Sequence, residues 1–363
     1  MSFAALKRLG SNILSPLTTP RSGTPVNSVT PETLFPVVDK DEDGENCNHD
    51  CEACPVVGGS GYGKAFDKIG VETKDKLWGG IKGYATHVIV ATGETDWIRD
   101  VEEIKGSVME ALWKGVEKVE RGRMMISASN IPPPHEYYEK DEQKPTKLLL
   151  LPAFEVLEGI RPADAETVIK EFVNTGPTTS DPLDRDADPS ETEESAEDKP
   201  EGEAPSADSA TATDISKVTE KLSDLTVASP VAAPQRTLKS SPYPHDFLIL
   251  ICSHRHRDAR CGISAPILKK EFEKQLRPLG LWRDLTDSRE GGASVVFINH
   301  VGGHKYAANV IIYRKEDGQG IWLARVSPKH VEGIVKHTIV KGKIVHPEMI
   351  RGGFNRKTGL ASW

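Results

Sequence analysis

Residues Asp246 to Leu276, "DFLILICSHRHRDARCGISAPILKKEFEKQL", read as one strand, loop and helix. "DFLILICSH" (Asp246 to His254) is an apolar run that suits a buried strand, and "SAPILKKEFEKQL" (Ser264 to Leu276) suits a helix with Ser264 at its N-cap. Downstream, "ASVVFINHV" (Ala293 to Val301) is a second strand, and "NVIIYR" (Asn309 to Arg314) pairs with "GIWLARV" (Gly320 to Val326) as a hairpin around "KEDGQG". "SPKHVEGIVKHTIV" (Ser327 to Val340) closes the unit as a helix, with Ser327 capping and Pro328 in the first helical position. The order β, α, β, β, β, α is close to that of a thioredoxin-like module.

Working upstream, residues 176–241 are rich in Pro, Ser, Thr, Asp and Glu and nearly lack aromatic residues. Such a segment buries too little apolar surface to offset its chain entropy, so a disordered acidic linker is expected there. Before it, "YATHVIVATG" (Tyr84 to Gly93) reads as a strand and "DVEEIKGSVMEALWKGVEKV" (Asp100 to Val119) as an amphipathic helix. "KLLLLP" (Lys147 to Pro152) follows as a buried strand and "PADAETVIKEFVN" (Pro162 to Asn174) as a helix. This alternation is of α/β type. The expected divisions are a disordered tail at 1–45, an α/β domain at 46–175, the linker at 176–241 and a second domain at 242–363.

The chain carries a net charge of −8, yet residues 242–363 hold 20 Lys and Arg against 11 Asp and Glu. A basic module beside an acidic linker suits steering of an acidic partner, and the absence of an aromatic platform between the cations argues against nucleic acid. No apolar run approaches the roughly 20 residues of a membrane span. The N-terminal "MSFAALKRLGSNILSPLTTPRSGTP" is basic and hydroxyl-rich, which fits either a mitochondrial presequence or a disordered tail interrupted by Gly10 and Pro16.

The five cysteines fall into two tight groups, which points to metal or redox chemistry in a reducing compartment. Cys252 ends a strand and Cys261 lies at a helix N-terminus, both places where backbone N–H groups favour a thiolate. In "INHVGGHKYAANVIIYR" (Ile298 to Arg314), His300 and His304 are four apart, but Gly302 and Gly303 between them oppose a helix. The glycines allow close backbone approach to a bulky group. If this loop meets the sheet edge that carries Cys252 and Cys261, the donor set is two cysteines and two histidines. Structural zinc sites usually take cysteines two to four residues apart, whereas eight separate Cys252 from Cys261, and mixed ligation of an iron–sulfur cluster is known from Rieske centres. Spacing alone leaves zinc and cluster both open.

"CSHRHRDARCG", "HVGGHKYAANVIIY" and the terminal "W", with "NCNHDCEACP" and "HVIVATGETDW" upstream, closely resemble the fungal sucrase/ferredoxin-like family. The resemblance implies two thioredoxin-like α/β halves, the second a thioredoxin-like ferredoxin with a [2Fe-2S] cluster on Cys252, Cys261, His300 and His304. It further implies proton-coupled one-electron transfer with donor and acceptor proteins that the sequence does not identify. "GLASW" at the C-terminus resembles the signal read by the cytosolic iron–sulfur assembly targeting complex, with Ala361 where a larger aliphatic residue is usual. That implies cytoplasmic loading through Trp363, in competition with a mitochondrial presequence and with simple packing of the indole on its own domain. The name of the family does not carry over as glycosidase activity, since no carboxylate pair has a recognisable setting for it.

The remaining candidates are weaker. Cys47, Cys51 and Cys54 in "CNHDCEACP" offer a redox-active thiol pair, or a second metal site with His49, or packed thiols. They support the alternative of a thiol-disulfide oxidoreductase; a zinc-stabilised binding module is the third reading. His254 and His256, in the loop between the cysteines, are candidate alternative ligands but are expected to face solvent, with Arg255, Arg257 and Arg260 solvated, forming a docking rim for an acidic partner or hydrogen bonding around cluster sulfur. Lys305 and Asn309 either support the histidine loop or solvate its edge, and His330, His337 and His346 are expected at the surface. "ATGETDW" (Ala91 to Trp97) reads as a strand-to-helix turn.

Overall fold

The computed structural model describes residues 29–44, 66, 68–139, 144–183 and 237–363. Cys47, Cys51 and Cys54, residues 1–28, and 184–236 of the acidic stretch lie outside the described residues, whereas 29–44, 176–183 and 237–241, expected in the disordered tail and linker, are part of the folded structure. In chain order the elements are α1 (Pro31–Leu34), α2 (Lys40–Asp43), β1 (Thr86–Ala91), α3 (Val108–Lys114), β2 (Met124–Ser129), β3 (Thr146–Leu151) and β4 (Glu155–Ile160). Then come α4 (Ala165–Val168), β5 (Lys239–Pro242), β6 (Phe247–Cys252), α5 (Ala259–Leu276), β7 (Trp282–Arg283), β8 (Ala293–Ile298), β9 (Val310–Arg314) and β10 (Gln319–Leu323). The chain ends with α6 (Pro328–Gly333), β11 (Ile350–Asn355) and β12 (Leu360–Ala361).

All the strands join one mixed sheet in the order β12-β11-β10-β9-β6-β8-β2-β1-β3-β4-β5, with β7 beside β8. The α/β class therefore stands. Within the sheet one arrangement occurs twice. β2 lies parallel to β1, while β3 and β4 follow antiparallel on the other side. β8, β6, β9 and β10 repeat that order and those directions. Each set closes with a helix that opens on proline (Pro162, Pro328) and widens into a π-helical stretch, Ile169–Val173 in one and Ile334–Ile339 in the other.

The two sets meet edge to edge. Ser129 of β2 faces Ile298 of β8 in antiparallel register. Beyond the strands, Asn130 bonds Phe297 twice, donating its N–H to the carbonyl and accepting the Phe297 N–H on Oδ1 at 2.7 Å. Asn299 does the same with Ala128, its Oδ1 accepting at 3.1 Å. The reciprocal pattern makes the junction locally two-fold.

Alternation assigns the strand residues to two cores. Val88 and Val90, Ile249 and Ile251, and Val295 pack under the helices with Leu112, Leu268 and Phe272, whereas Ile89, Leu248, Leu250 and Val296 face the other side with Tyr313 and Phe354. Both faces are buried, which is why these strands read as unbroken apolar runs.

The expected helix over Asp100–Val119 is broken: a 3-10 turn at Val101–Glu103 precedes α3, and Gly106 between them takes φ +72°. α5 starts earlier than Ser264. Asp258 caps it, its side chain accepting from the Arg260 N–H, so Cys261 sits in its first turn.

Candidate metal centre

Cys252 ends β6 and Cys261 lies in the first turn of α5, both fully buried and neither in a disulfide. His300 follows β8. One ligand atom from each of the three falls within 4.8 Å of the others, with Cys252 Sγ 3.9 Å from His300 Nδ1. His304 opens a 3-10 turn, His304–Tyr306, four residues further on; its side chain lies outside what is described. Three of the four residues expected to converge therefore do so.

The two thiols share a proton unequally. A hydrogen bond from Cys261, with His300 beside it, holds the Cys252 thiol well below the usual range despite burial. The same bond, together with burial, pushes Cys261 up. A thiolate at a strand end next to a helix N-terminus is ready to take a cation.

Loops from both strand sets build the site. His254, expected to face solvent, is buried: its Nε2 donates to the Trp97 carbonyl at 2.9 Å and its ring meets the Trp97 indole edge-on. That leaves Nδ1 free to accept the His300 N–H at 3.2 Å, and burial lowers the imidazole's pKa so that it stays neutral. His254 thus orients His300 through the backbone. Ser253 Oγ donates to the Thr95 carbonyl, so the turn at Ala91–Trp97 is a second wall of the site. His256 is exposed as expected, but it pairs with Asp96, Arg257 with Asp100, and Arg260 with Asp258. These three cations are tied to acids of their own chain, while Arg255 of the same loop is exposed.

The histidine loop answers its glycine pattern. Gly302 and Gly303 take φ +86° and +69°, and a Cβ on Gly303 would lie 2.5 Å from the Arg351 guanidinium. Arg351 is buried and donates to the Gly302 carbonyl, Asn309 Oδ1 and the Gly80 carbonyl. Asn309 is buried too and supports the loop, while Lys305 pairs with Asp75 at its rim. Arg351 has no carboxylate partner among the described residues, and the nearby Cys252 thiolate is a negative charge acting on it. Sequence reasoning did not find Arg351 or Trp97, which come from distant segments, nor the role of His254, which depends on Trp97. His337 is buried in the closing helix, and His330 and His346 are half-buried with rings 5.0 Å apart, which corrects their expected surface placement.

The sucrase/ferredoxin-like family profile matches residues 77–352, a span that contains Cys252, Cys261, His300, His254 and Arg351. The chain belongs to the sucrase/ferredoxin-like family. Among curated relatives it is similar to actin patches distal protein 1 of Saccharomyces cerevisiae, 31% identical over 328 residues, or 86% of this chain and 87% of that protein. Altered inheritance of mitochondria protein 32 of Clavispora lusitaniae is 44% identical over 108 residues, 30% of this chain and 35% of that one. The Debaryomyces hansenii protein of the same name is 42% identical over 106 residues, covering 29% and 35%. No solved structure matches. Among the described residues no helix is long and apolar enough to cross a membrane.

Proposed function

We propose that the chain is an electron-transfer protein with a [2Fe-2S] cluster held by Cys252, Cys261, His300 and His304, on two thioredoxin-like halves that share one sheet. The observation that carries the reading is the meeting of two buried, unpaired thiols with His300 at one sheet edge. The donor set suits iron–sulfur ligation, and the buried, acid-free Arg351 is suitably placed to balance thiolate charge. When bound, the cluster supplies one-electron chemistry. The protein's part is to keep water from Cys252 and Cys261 and to fix His300 through His254. Where reduction of the bound cluster is coupled to protonation, the potential falls as pH rises.

One observation favours a second reading. Ligand atoms on one tetrahedral zinc ion stand about 3.6 Å apart, from bonds of about 2.0 to 2.3 Å. The spread of 4.8 Å is closer to that than to ligands on two irons. The third reading, thiol-disulfide exchange at Cys47, Cys51 and Cys54, falls on residues outside those described. Loading by the cytosolic assembly complex requires access to Trp363, whose ring lies 5.0 Å from that of Tyr84 and which is 38% exposed.

The test is the visible spectrum with iron, zinc and sulfide analysis of anaerobically purified protein and its Cys252→Ala and His300→Ala variants. Two irons and two sulfides, with charge-transfer bands lost or shifted in both variants, are expected. A colourless protein with one zinc overturns the cluster and leaves a structural site.

A further inference from the structure

The antiparallel junction of β2 and β8 is short, and the strands diverge on either side of Ser129 and Ile298, leaving a cavity at each end. The local two-fold relates these cavities. One, of about 580 Å³, lies between β8 and the exit of β2, where Ile131 and Pro132 line it. The other, of about 320 Å³, lies between β2 and the exit of β8, where His300 and Val301 stand in the corresponding places. Their chemistry differs. In the larger cavity the cation, Lys147, is paired with Glu158 at 3.0 Å. In the smaller one Lys82 and Arg123 have no carboxylate within ion-pair distance among the described residues, and Arg123 donates only to the Lys82 and Gly83 carbonyls. Glu102 is the single acid in the lining. The opposing wall is apolar and soft, formed by the exposed indole of Trp113 and by buried Met109.

We propose that this smaller cavity binds a planar aromatic anion, its ring against Trp113 and Met109, its charged group between Lys82 and Arg123, and its edge against His300. The inference deepens the proposed function, since it puts a small-molecule site against a ligand of the metal centre. Its binding step does not depend on what Cys252 and Cys261 hold. Two cations without an ion-pair partner, against the single acid Glu102, select negative charge, and the face of Trp113 selects a flat ring. A volume of about 320 Å³ is at the small end of ligand sites, enough for one or two fused rings. The first strand set, which supplies Lys82, Trp113 and Arg123, thereby has a task at the metal centre: it forms the binding wall that the second set lacks.

The experiment is calorimetric titration of the full chain with 2-naphthoate and, separately, with the neutral 2-naphthamide, before and after removal of metal. Naphthoate is expected to bind at least tenfold more tightly than the amide, and to weaken as salt is raised. Lys82→Met and Arg123→Gln should each weaken naphthoate about tenfold without changing the amide, and Lys147→Met, in the larger cavity, should change neither. In metal-loaded protein, bound naphthoate should perturb the visible or magnetic-resonance signature through His300. Equal binding of acid and amide, or naphthoate affinity unchanged in both Lys82→Met and Arg123→Gln, overturns the site. Colourless protein that still prefers naphthoate overturns the cluster alone and leaves the anion site standing.

Discussion

At the scale of single residues, burial decides charge. His87 is fully buried in β1, its Nδ1 2.8 Å from the Tyr313 hydroxyl and its Nε2 2.9 Å from Ser127 Oγ. Neither partner is an acid, so burial drives its pKa down from 6.5 to about 3. Between those values the unfolded chain binds a proton that the folded chain refuses. His87 therefore costs no stability above pH 6.5, and stability is lost as pH falls from 6.5 towards 3, by up to about 1.4 kcal/mol per pH unit for one proton. His87→Gln keeps polar contacts and cannot titrate. Urea unfolding at pH 7, 6 and 5 should give the variant a shallower loss of stability than the wild type; identical slopes would mean that His87 is not the group excluded from protonation. The sequence did not announce the burial of this histidine or of His254. A lone imidazole in or next to an apolar run has no pattern of its own, and its burial depends on partners such as Tyr313 and Trp97 from remote segments.

Among elements, the seam between β2 and β8 rests on very few bonds. Asn299→Ala removes the acceptor of the Ala128 N–H, and Asn130→Ala that of the Phe297 N–H, each in a place that strand pairing no longer serves. An unsatisfied buried donor costs about 1 to 3 kcal/mol. Each single variant should lose that much in chemical denaturation, and the double variant should depart from the sum because the two residues share one junction. Losses under about 0.5 kcal/mol in both would show that the seam is held by packing instead. Apolar strands such as β1, β3, β6 and β8 were legible because burial on both faces leaves uninterrupted runs. β2 ("MMISAS"), β4 ("EVLEGI") and β11 ("IRGGFN") were not, since small and polar residues dilute them and only their neighbours in the sheet make them strands. The cysteine and histidine set was legible for a different reason. Thiols and imidazoles at strand ends are rare enough that spacing and resemblance together picked out Cys252, Cys261 and His300, whereas the support around them draws on Trp97 and Arg351 from remote segments.

For the whole molecule, the chain ends cross between the two strand sets. Near the start, Leu34 and Phe35 are buried, the Leu34 carbonyl accepts from Asn355 of β11, and Val37 bridges to Ile344. Asp43 pairs with both Lys341 and Lys343, which holds its carboxyl far below the usual range. At the other end, Trp363 packs on Gly83 and Tyr84, just before β1. A fragment of residues 242–363 would keep Cys252, Cys261, His300 and His304 but lose the cover of residues 29–44, the Trp97 carbonyl that holds His254, and β2 along the edge of β8. An uncovered strand edge with apolar faces pairs with whatever is available. The fragment should therefore self-associate in light scattering, melt below the intact chain, and retain less metal after desalting. If it is instead monomeric, as stable as the full chain and fully loaded, the second strand set is an independent domain, and the first contributes to partner binding without holding the metal site in shape.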